Sequence, residues 1–270
     1  MVRNSAIILL FAFSLFTMVG CEHELKDDPN PERLVTISFT AKSMSGSLLK
    51  SAASPAEDLI EKIILFSVDR NDAVENYTII NNPTFSDSSL IISQKVKSFY
   101  AIANPSAELE TAIENSPPDD VSDLMNLVDD FTNAPQSPFL MSCMKEIDKD
   151  NINLEFIRAV AKIDITNIDG FQIESVTVNS TPNKGFAFNS TSVSVPASAS
   201  MTSYSTITST TPTLYVAENS NASPTQFVIT GKFQGKQEAY IFSLKSGGSD
   251  ISIKRNTCYQ VSIGFEYEVP

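Results

Sequence analysis

Near the N-terminus, residues 34–41 alternate between apolar side chains and side chains that carry hydroxyl groups. A period of two is typical of a strand with one buried face. The predicted buried face consists of Val35, Ile37, Phe39 and Ala41. Residues 60–68 are apolar at nearly every position, which predicts a second strand that is covered on both faces.

The segment between these two strands, residues 42–55, is rich in serine and contains two lysines, Lys42 and Lys50. Small and polar side chains bury too little apolar surface to offset the entropy lost on ordering. We therefore expect a surface linker that a protease can reach. A cut in this linker would leave the first strand held only by non-covalent contacts.

Further short strands are predicted between turn signals along the rest of the chain, and their spacing indicates an all-β protein built from antiparallel sandwiches. The last of them alternates from Tyr259 to Val269. One interruption has apolar residues at helical spacing behind Pro117 and Pro118, which predicts an amphipathic helix in the N-terminal half. Its apolar stripe consists of Val121, Leu124, Met125, Val128 and Phe131.

Residues 1–20 combine one basic residue, Arg3, with an apolar run that is too short to span a bilayer and that is typical of a signal peptide. The run ends in Met-Val-Gly-Cys, which resembles a bacterial lipoprotein lipobox. This resemblance implies cleavage before Cys21 and a lipid on its sulfur, which would anchor the chain without a spanning helix. Residues 21–33 would then be a tether. The alternative is a secretory peptide with an incidental cysteine.

Composition excludes several classes of function. With 32 acidic and 19 basic residues, the net charge of −13 argues against nucleic acid as a partner. The single histidine, His23, lies in the tether, so a Ser/His/Asp or Cys/His catalytic site is not available. Neither a zinc motif nor a phosphate-binding glycine loop is present in the sequence. We therefore predict a protein that is not an enzyme and that needs no cofactor or metal. Cys143 and Cys258 are either bonded to each other or are two buried free thiols.

The chain resembles the fimbrillins, the type V pilins of Bacteroidales, over nearly its whole mature length. The resemblance rests on the order and spacing of several segments, each of which is a weak signal alone. Besides the lipobox at Cys21 and the first strand, they are Ile63–Phe66, Phe99–Asn104, Phe139–Ser142, Arg158–Asp164, Leu214–Glu218 and Ile253–Tyr259.

The resemblance implies two transthyretin-like β-sandwich domains, 34–152 and 153–270. It implies export through the periplasm as a lipoprotein and a place at the outer membrane and cell surface. It also implies that an Arg- or Lys-specific protease removes the first strand and that a strand of a neighbouring pilin subunit replaces it. The processing residue corresponds to Lys50, with Lys42 as the second candidate. Otherwise Lys50 is an ordinary surface lysine.

Strand removal has a physical rationale here. Withdrawing three apolar side chains of residues 34–41 would expose area worth about 5–9 kcal/mol. It would also bare sheet edges, which capture another strand by β-augmentation. Major pilins of the family carry a donor extension after the segment that corresponds to Ile253–Tyr259, whereas this sequence ends at Pro270. We therefore expect a minor or tip-like pilus subunit that supports adhesion to a host or bacterial surface ligand. The alternative here is that residues 265–269 are a short donor.

A second function is a lipid-anchored surface protein that binds a glycan or peptide and does not polymerise. Such a protein would present aromatic platforms on exposed loops. The chain has no tryptophan, and its tyrosines and phenylalanines fall mostly in alternating strands.

Overall fold

The regular structure of the chain consists mainly of β-strands, as a computed structural model shows for residues 31–45, 55–83, 88–166, 170–188, 190–207 and 213–262. None of the helices within these ranges is long and apolar enough to cross a membrane. The elements are β1 (Glu32–Ala41), β2 (Lys62–Asp69), β3 (Val74–Asn81), β4 (Ser88–Ser93), β5 (Val96–Ala103), α1 (Ala107–Asn115), α2 (Val121–Met125), β6 (Val128–Asp130), β7 (Met141–Glu146), β8 (Asn151–Arg158), β9 (Val160–Thr166), β10 (Phe171–Pro182), β11 (Lys184–Phe186), β12 (Met201–Ile207), β13 (Thr213–Ala217), β14 (Gln226–Phe233), β15 (Lys236–Ser243), β16 (Lys245–Ser246), β17 (Ser249–Asp250) and β18 (Cys258–Ser262).

The first core lies against a curled seven-stranded sheet in the order β3-β2-β5-β7-β8-β1-β4. β7 and β8 pair at only two positions, near Met141 and Ser142, so the sheet bends between them. Side chains from both parts of the sheet therefore enter one core, which includes Phe39, Phe66, Phe99, Leu154 and Phe156. The strand predicted over 60–68 is β2, and it is buried over almost its whole length.

The second core lies between two smaller sheets, β12-β10-β14-β15 and β13-β9-β18. It includes Ile163, Phe171, Val216, Phe227 and Ile229. β10 and β14 approach closely because Gly231 has no side chain. A Cβ at this position would collide with the carbonyl oxygen of Gln172 and would lie 2.8 Å from the ring of Phe171.

The helical insertion in the N-terminal half is shorter than the apolar spacing predicts. α2 begins after Asp120, whose carboxylate accepts a hydrogen bond from the backbone of Asp123, and it ends at Met125. Val128 begins β6, which pairs with β11, so the prediction that the helical stripe continues to Phe131 is wrong. Strand pairing with a distant segment overrides the helical spacing here. A second helix, α1, precedes α2 and is capped by Ser106.

The predicted all-β fold of sandwiches with a short helical insertion is confirmed. Most strand pairs are antiparallel, but β1 pairs in parallel with β8, and β18 pairs in parallel with β9. The predicted boundary between residues 152 and 153 falls inside β8, whose apolar side chains belong to the first core. Within β9, Val160 belongs to the first core and the next residue, Ala161, belongs to the second. The division into domains 34–152 and 153–270 stays a prediction.

Candidate functional site

The first strand is an interior strand of its sheet. β1 pairs in parallel with β8 from Thr36 to Ala41 and antiparallel with β4 from Glu32 to Ile37. On its outer surface, the hydroxyls of Ser38 and Thr40 donate to the side-chain oxygen of Asn153 at 3.2 and 3.3 Å. Hydrogen bonds therefore join β1 to a neighbour on each side, so its loss would leave unpaired backbone groups on both neighbouring strands.

The inner face of β1 fills the first core. The side chains of Val35, Ile37 and Phe39 are at most 2% exposed, whereas Ala41 is half-buried. The alternation in the sequence thus corresponds to a face that points into the protein. Removing β1 would open an apolar groove at the place that the side chains of Val35, Ile37 and Phe39 fill.

The four residues that follow β1, Lys42–Ser45, run along the boundary between the two cores, and we call them the β1 tail. The backbone N–H of Lys42 donates to the carbonyl of Phe156 at 2.8 Å. Further on, the N–H of Ser45 donates to the carbonyl of Asn256 at 3.0 Å, and the N–H of Cys258 donates back to Ser45 at 2.8 Å. The tail therefore connects the first strand to the residues that begin β18.

One fully buried side chain, Arg158, joins the chain on both sides of residues 46–54. Its Nη1 donates to the carbonyl of Lys42 at 2.7 Å, and its Nε donates to the carbonyl of Glu57 at 2.9 Å. Its Nη2 forms an ion pair with Asp58. Nη1 also donates to the side-chain oxygen of Asn256 at 2.9 Å. Burial lowers the pKa of the guanidinium, while the neighbouring carboxylates of Asp58 and Glu57 act in the opposite direction.

A second ion pair, in which both side chains are buried, lies beside Arg158. Glu57 is 4% exposed, and its Oε1 lies 3.0 Å from Nζ of Lys162 and accepts from the hydroxyl of Tyr215 at 2.8 Å. Burial raises the pKa of the Tyr215 hydroxyl, and its hydrogen bond to Glu57 adds to the effect. These contacts join residue 57 to β9 and β13, so the segment that precedes β2 is attached to the second core.

Among the predicted processing residues, only Lys42 lies within the described ranges. Its side chain is half-exposed and its Nζ lies 3.4 Å from Glu155. Its backbone N–H and carbonyl are both hydrogen-bonded, however, to Phe156 and Arg158. A protease binds its substrate as an extended strand, so cleavage at Lys42 would first require these bonds to break. Cys21 and Lys50 lie outside the described residues, and their roles stay predictions.

Both described cysteines are free and buried, Cys143 in β7 and Cys258 in β18. Burial raises the pKa of each thiol to about 11. The Asp164 carboxylate lies 3.4 Å from the sulfur of Cys258 and has the same effect. Neither thiol is therefore activated as a nucleophile at neutral pH. Within the described ranges, no three His, Cys, Asp or Glu side chains are grouped so that they could hold a metal ion.

Sequence reasoning did not assign any role to Arg158, Lys162 or Asn256, although it singled out the two segments that contain them. The structure brings these segments, 158–164 and 253–259, together beside the β1 tail. The pairing partners lie about 100 residues apart in the chain, so no local pattern indicates them. The only available signal is the position of the charged Arg158, which the alternation of β8 places on the same face as Ile152, Leu154 and Phe156.

Comparisons with known proteins show similarity at the level of structure. No family model matches the sequence, and no curated protein matches it either. The fold is similar to that of the tip fimbrial protein Mfa3 from Porphyromonas gingivalis, with a TM-score of 0.60 and 14% identity over 88% of this chain and 97% of that one. It is also similar to a fimbrial assembly protein from Parabacteroides distasonis, with a TM-score of 0.56 and 15% identity over 86% of this chain and 92% of that one. This chain therefore has the fold of these fimbrial proteins.

Proposed function

We propose that this chain is a structural subunit of a cell-surface type V pilus that supports adhesion, assembled by removal of its first strand and strand exchange with another subunit. The fold that it shares with two fimbrial proteins supports this proposal. The observation that carries it is the place of β1, an N-terminal strand that lies between two others and buries three apolar side chains. A groove of this kind, once opened, favours occupation by another strand.

The place of the subunit in the fibre is part of the same proposal. Similarity to a tip fimbrial protein supports a minor or tip-like role. A lipid on Cys21 would hold the precursor at the outer membrane until processing, without a spanning helix. The polar clusters of the described residues are ion pairs and hydrogen bonds within the fold, and this favours a structural protein over an enzyme.

Lys50 is the preferred processing residue. The structure gives a reason to prefer it over Lys42, because both backbone polar groups of Lys42 take part in hydrogen bonds at the end of β1. A cut after residue 50 would release β1 together with its tail. Residues 55–58 would stay attached to the body of the subunit through Arg158 and Lys162.

The test uses the mature chain together with two variants, Lys50→Gln and Lys42→Gln. Each protein is treated briefly with a lysine-specific protease and is then analysed by mass spectrometry and size exclusion. We expect the wild type and Lys42→Gln to lose residues up to 50 and then to bind a synthetic peptide that spans residues 31–45, because the opened groove accepts a strand. Lys50→Gln should stay uncut at this position and should not bind the peptide.

Two results would contradict the proposal. One is a chain that is never cut between residues 45 and 55 under native conditions. The other is a chain that is cut and loses its first strand but does not bind the peptide. An opened groove that takes up no strand would favour the lipid-anchored protein that binds a glycan or peptide.

A further inference from the structure

The β1 tail contacts the last described strand at the point where that strand begins. The N–H of Ser45 donates to the carbonyl of Asn256, and the N–H of Cys258 donates to the carbonyl of Ser45. These two bonds form a parallel bridge between Ser45 and Thr257. Since β18 pairs with β9 on its other side, the tail and β9 flank the first residues of β18 from both sides.

Asn256 connects this bridge to the buried arginine. Its side-chain nitrogen donates to the carbonyl of Ser43 at 3.1 Å, and its side-chain oxygen accepts from Arg158 at 2.9 Å. Its φ of 52° lies in the left-handed region, where asparagine is one of the few residues tolerated without a large cost. In the turn before β18, the side chain of Asn256 therefore contacts both the β1 tail and Arg158.

The residues that follow the 46–54 segment make contacts that do not involve the β1 tail. Glu57 and Asp58 contact Arg158, Lys162 and Tyr215, all of which belong to the body of the subunit. A cut between residues 45 and 55 would therefore divide the chain into two parts. The N-terminal part, which contains Ser43 and Ser45, would leave. The C-terminal part would keep the ion pairs of Glu57 and Asp58.

We propose that the β1 tail couples the first and the last described strands, so that β18 is held at its first residues while β1 is in place and is loosened when β1 leaves. This inference rests on the proposed removal of β1 and adds a regulatory consequence to it. When the tail departs, Asn256 loses its contact with Ser43, and the amide of Cys258 loses its acceptor. An uncut subunit holds the first residues of β18 from both sides, and a processed subunit holds them through β9 alone.

The coupling can be tested in the uncut chain with two variants of one residue. Ser45→Pro removes the N–H that donates to Asn256, whereas Ser45→Ala keeps the backbone bonds and removes only the hydroxyl. The readout is the rate at which iodoacetamide labels Cys258, measured by peptide mass spectrometry, with Cys143 as the internal reference. Cys258 is 3% exposed, so its labelling reports opening of β18.

We expect Ser45→Pro to raise the labelling rate of Cys258 about fivefold over Ser45→Ala, the effect of losing one hydrogen bond, with Cys143 unchanged. Equal rates in the two variants would overturn the coupling. If proline raises the labelling of both thiols alike, Asn256→Gly decides. Glycine tolerates the left-handed turn but lacks both side-chain contacts. Faster labelling of Cys258 alone in Asn256→Gly supports the coupling, and an unchanged rate overturns it.

The processed protein provides the second arm. After protease treatment and removal of residues up to 50, Cys258 should be labelled at least as fast as in Ser45→Pro. A chain that resists cutting, or that is cut and does not bind the peptide of residues 31–45, would contradict the proposed function, while the comparison of uncut variants would still test the coupling. A chain that is cut and binds the peptide, but labels Cys258 at the uncut rate, would contradict the coupling alone.

Discussion

The first and last described strands of the chain have the same pairing geometry but contribute differently to the fold. β1 lies parallel to β8. β18 lies parallel to β9, which is the strand that follows β8 in the sequence. β1, however, also pairs with β4 and buries three side chains completely. Within the described residues, β18 has a strand partner only in β9, and its apolar residues Tyr259 and Val261 are partly exposed. Although both strands pair in parallel with a neighbour, β1 is a central part of the first core and β18 lies at the margin of the second.

The largest expected effect comes from the core face of β1. Phe39→Ala should lower the free energy of unfolding by about 4 kcal/mol, because Phe39 is 2% exposed and its removal leaves a cavity. Val261→Ala, the corresponding truncation in β18, should cost about 1 kcal/mol, because that side chain is only partly buried. Guanidinium unfolding of both variants measures the difference.

Equal losses in these two variants would mean that the margin of the second core is packed as tightly as the centre of the first. A third variant, Leu34→Ala, controls for β-propensity. Leu34 belongs to β1 but is 59% exposed, so its truncation should leave the stability nearly unchanged.

The next largest effect concerns the buried arginine that joins the two cores. Arg158→Met should cost about 3–4 kcal/mol, because the three acceptors around the guanidinium lose their charged donor, whereas Asp58, whose side chain is 45% exposed, is solvated by water instead. The same substitution at Lys232 removes an ion pair with Glu174 in which both side chains are about half-exposed. There we expect about 0.5 kcal/mol. Thermal unfolding of both variants, with the wild type as reference, compares them.

An Arg158→Met variant as stable as Lys232→Met would show that the two cores hold together without this arginine. Arg158→Lys sharpens the test further. Lysine keeps the charge but cannot donate in three directions from a planar group, so it should recover only a minor part of the loss.

A third difference between the cores lies in how closely their strands approach. Gly231→Ala should cost about 2–3 kcal/mol, because the new Cβ would collide with a backbone carbonyl that strand pairing holds in place. Gly185→Ala, at the edge of the first core, would instead place its Cβ 2.5 Å from the ring of Phe131. A side chain can move away, so the expected cost there is about 1 kcal/mol. Urea unfolding distinguishes the two, and the reverse order would contradict this explanation.

The parts of the fold that could be predicted from the sequence are those whose pattern is local. β1 has one buried face and β2 has two, so alternation in the one and a continuous apolar run in the other indicated them directly. The same reasoning extended the helix to Phe131, because spacing alone cannot reveal that β6 pairs with β11, more than 50 residues away. The ion pairs of Arg158 and Lys162 could not be predicted for the same reason. Their partners, Asp58 and Glu57, are about 100 residues distant.

The smallest expected effect concerns the two buried thiols, one in each core. The pKa of Cys143 is about 11 in the fold, and a free thiol in the unfolded chain has a pKa of about 8.5. Because the folded value is the higher one, its contribution is present in full below pH 8.5 and is lost as the pH rises towards 11. Between pH 8 and pH 10 the wild type should therefore lose about 1–2 kcal/mol relative to Cys143→Ala, which has no thiol at this position.

Urea unfolding at both pH values gives this double difference, in which the contributions of tyrosine and lysine cancel. Cys258→Ala supplies the comparison with the second core. Its sulfur lies beside the Asp164 carboxylate, so the pKa of this thiol is raised by a neighbouring charge as well as by burial. The contribution of that charge is screened by salt, whereas burial is not. In 1 M NaCl the pH dependence should therefore weaken for Cys258. It should not weaken for Cys143, because the neighbouring lysines Lys145 and Lys42 lower the pKa of that thiol. A pH dependence of Cys258 that does not weaken in salt would mean that the Asp164 charge adds nothing to the effect of burial.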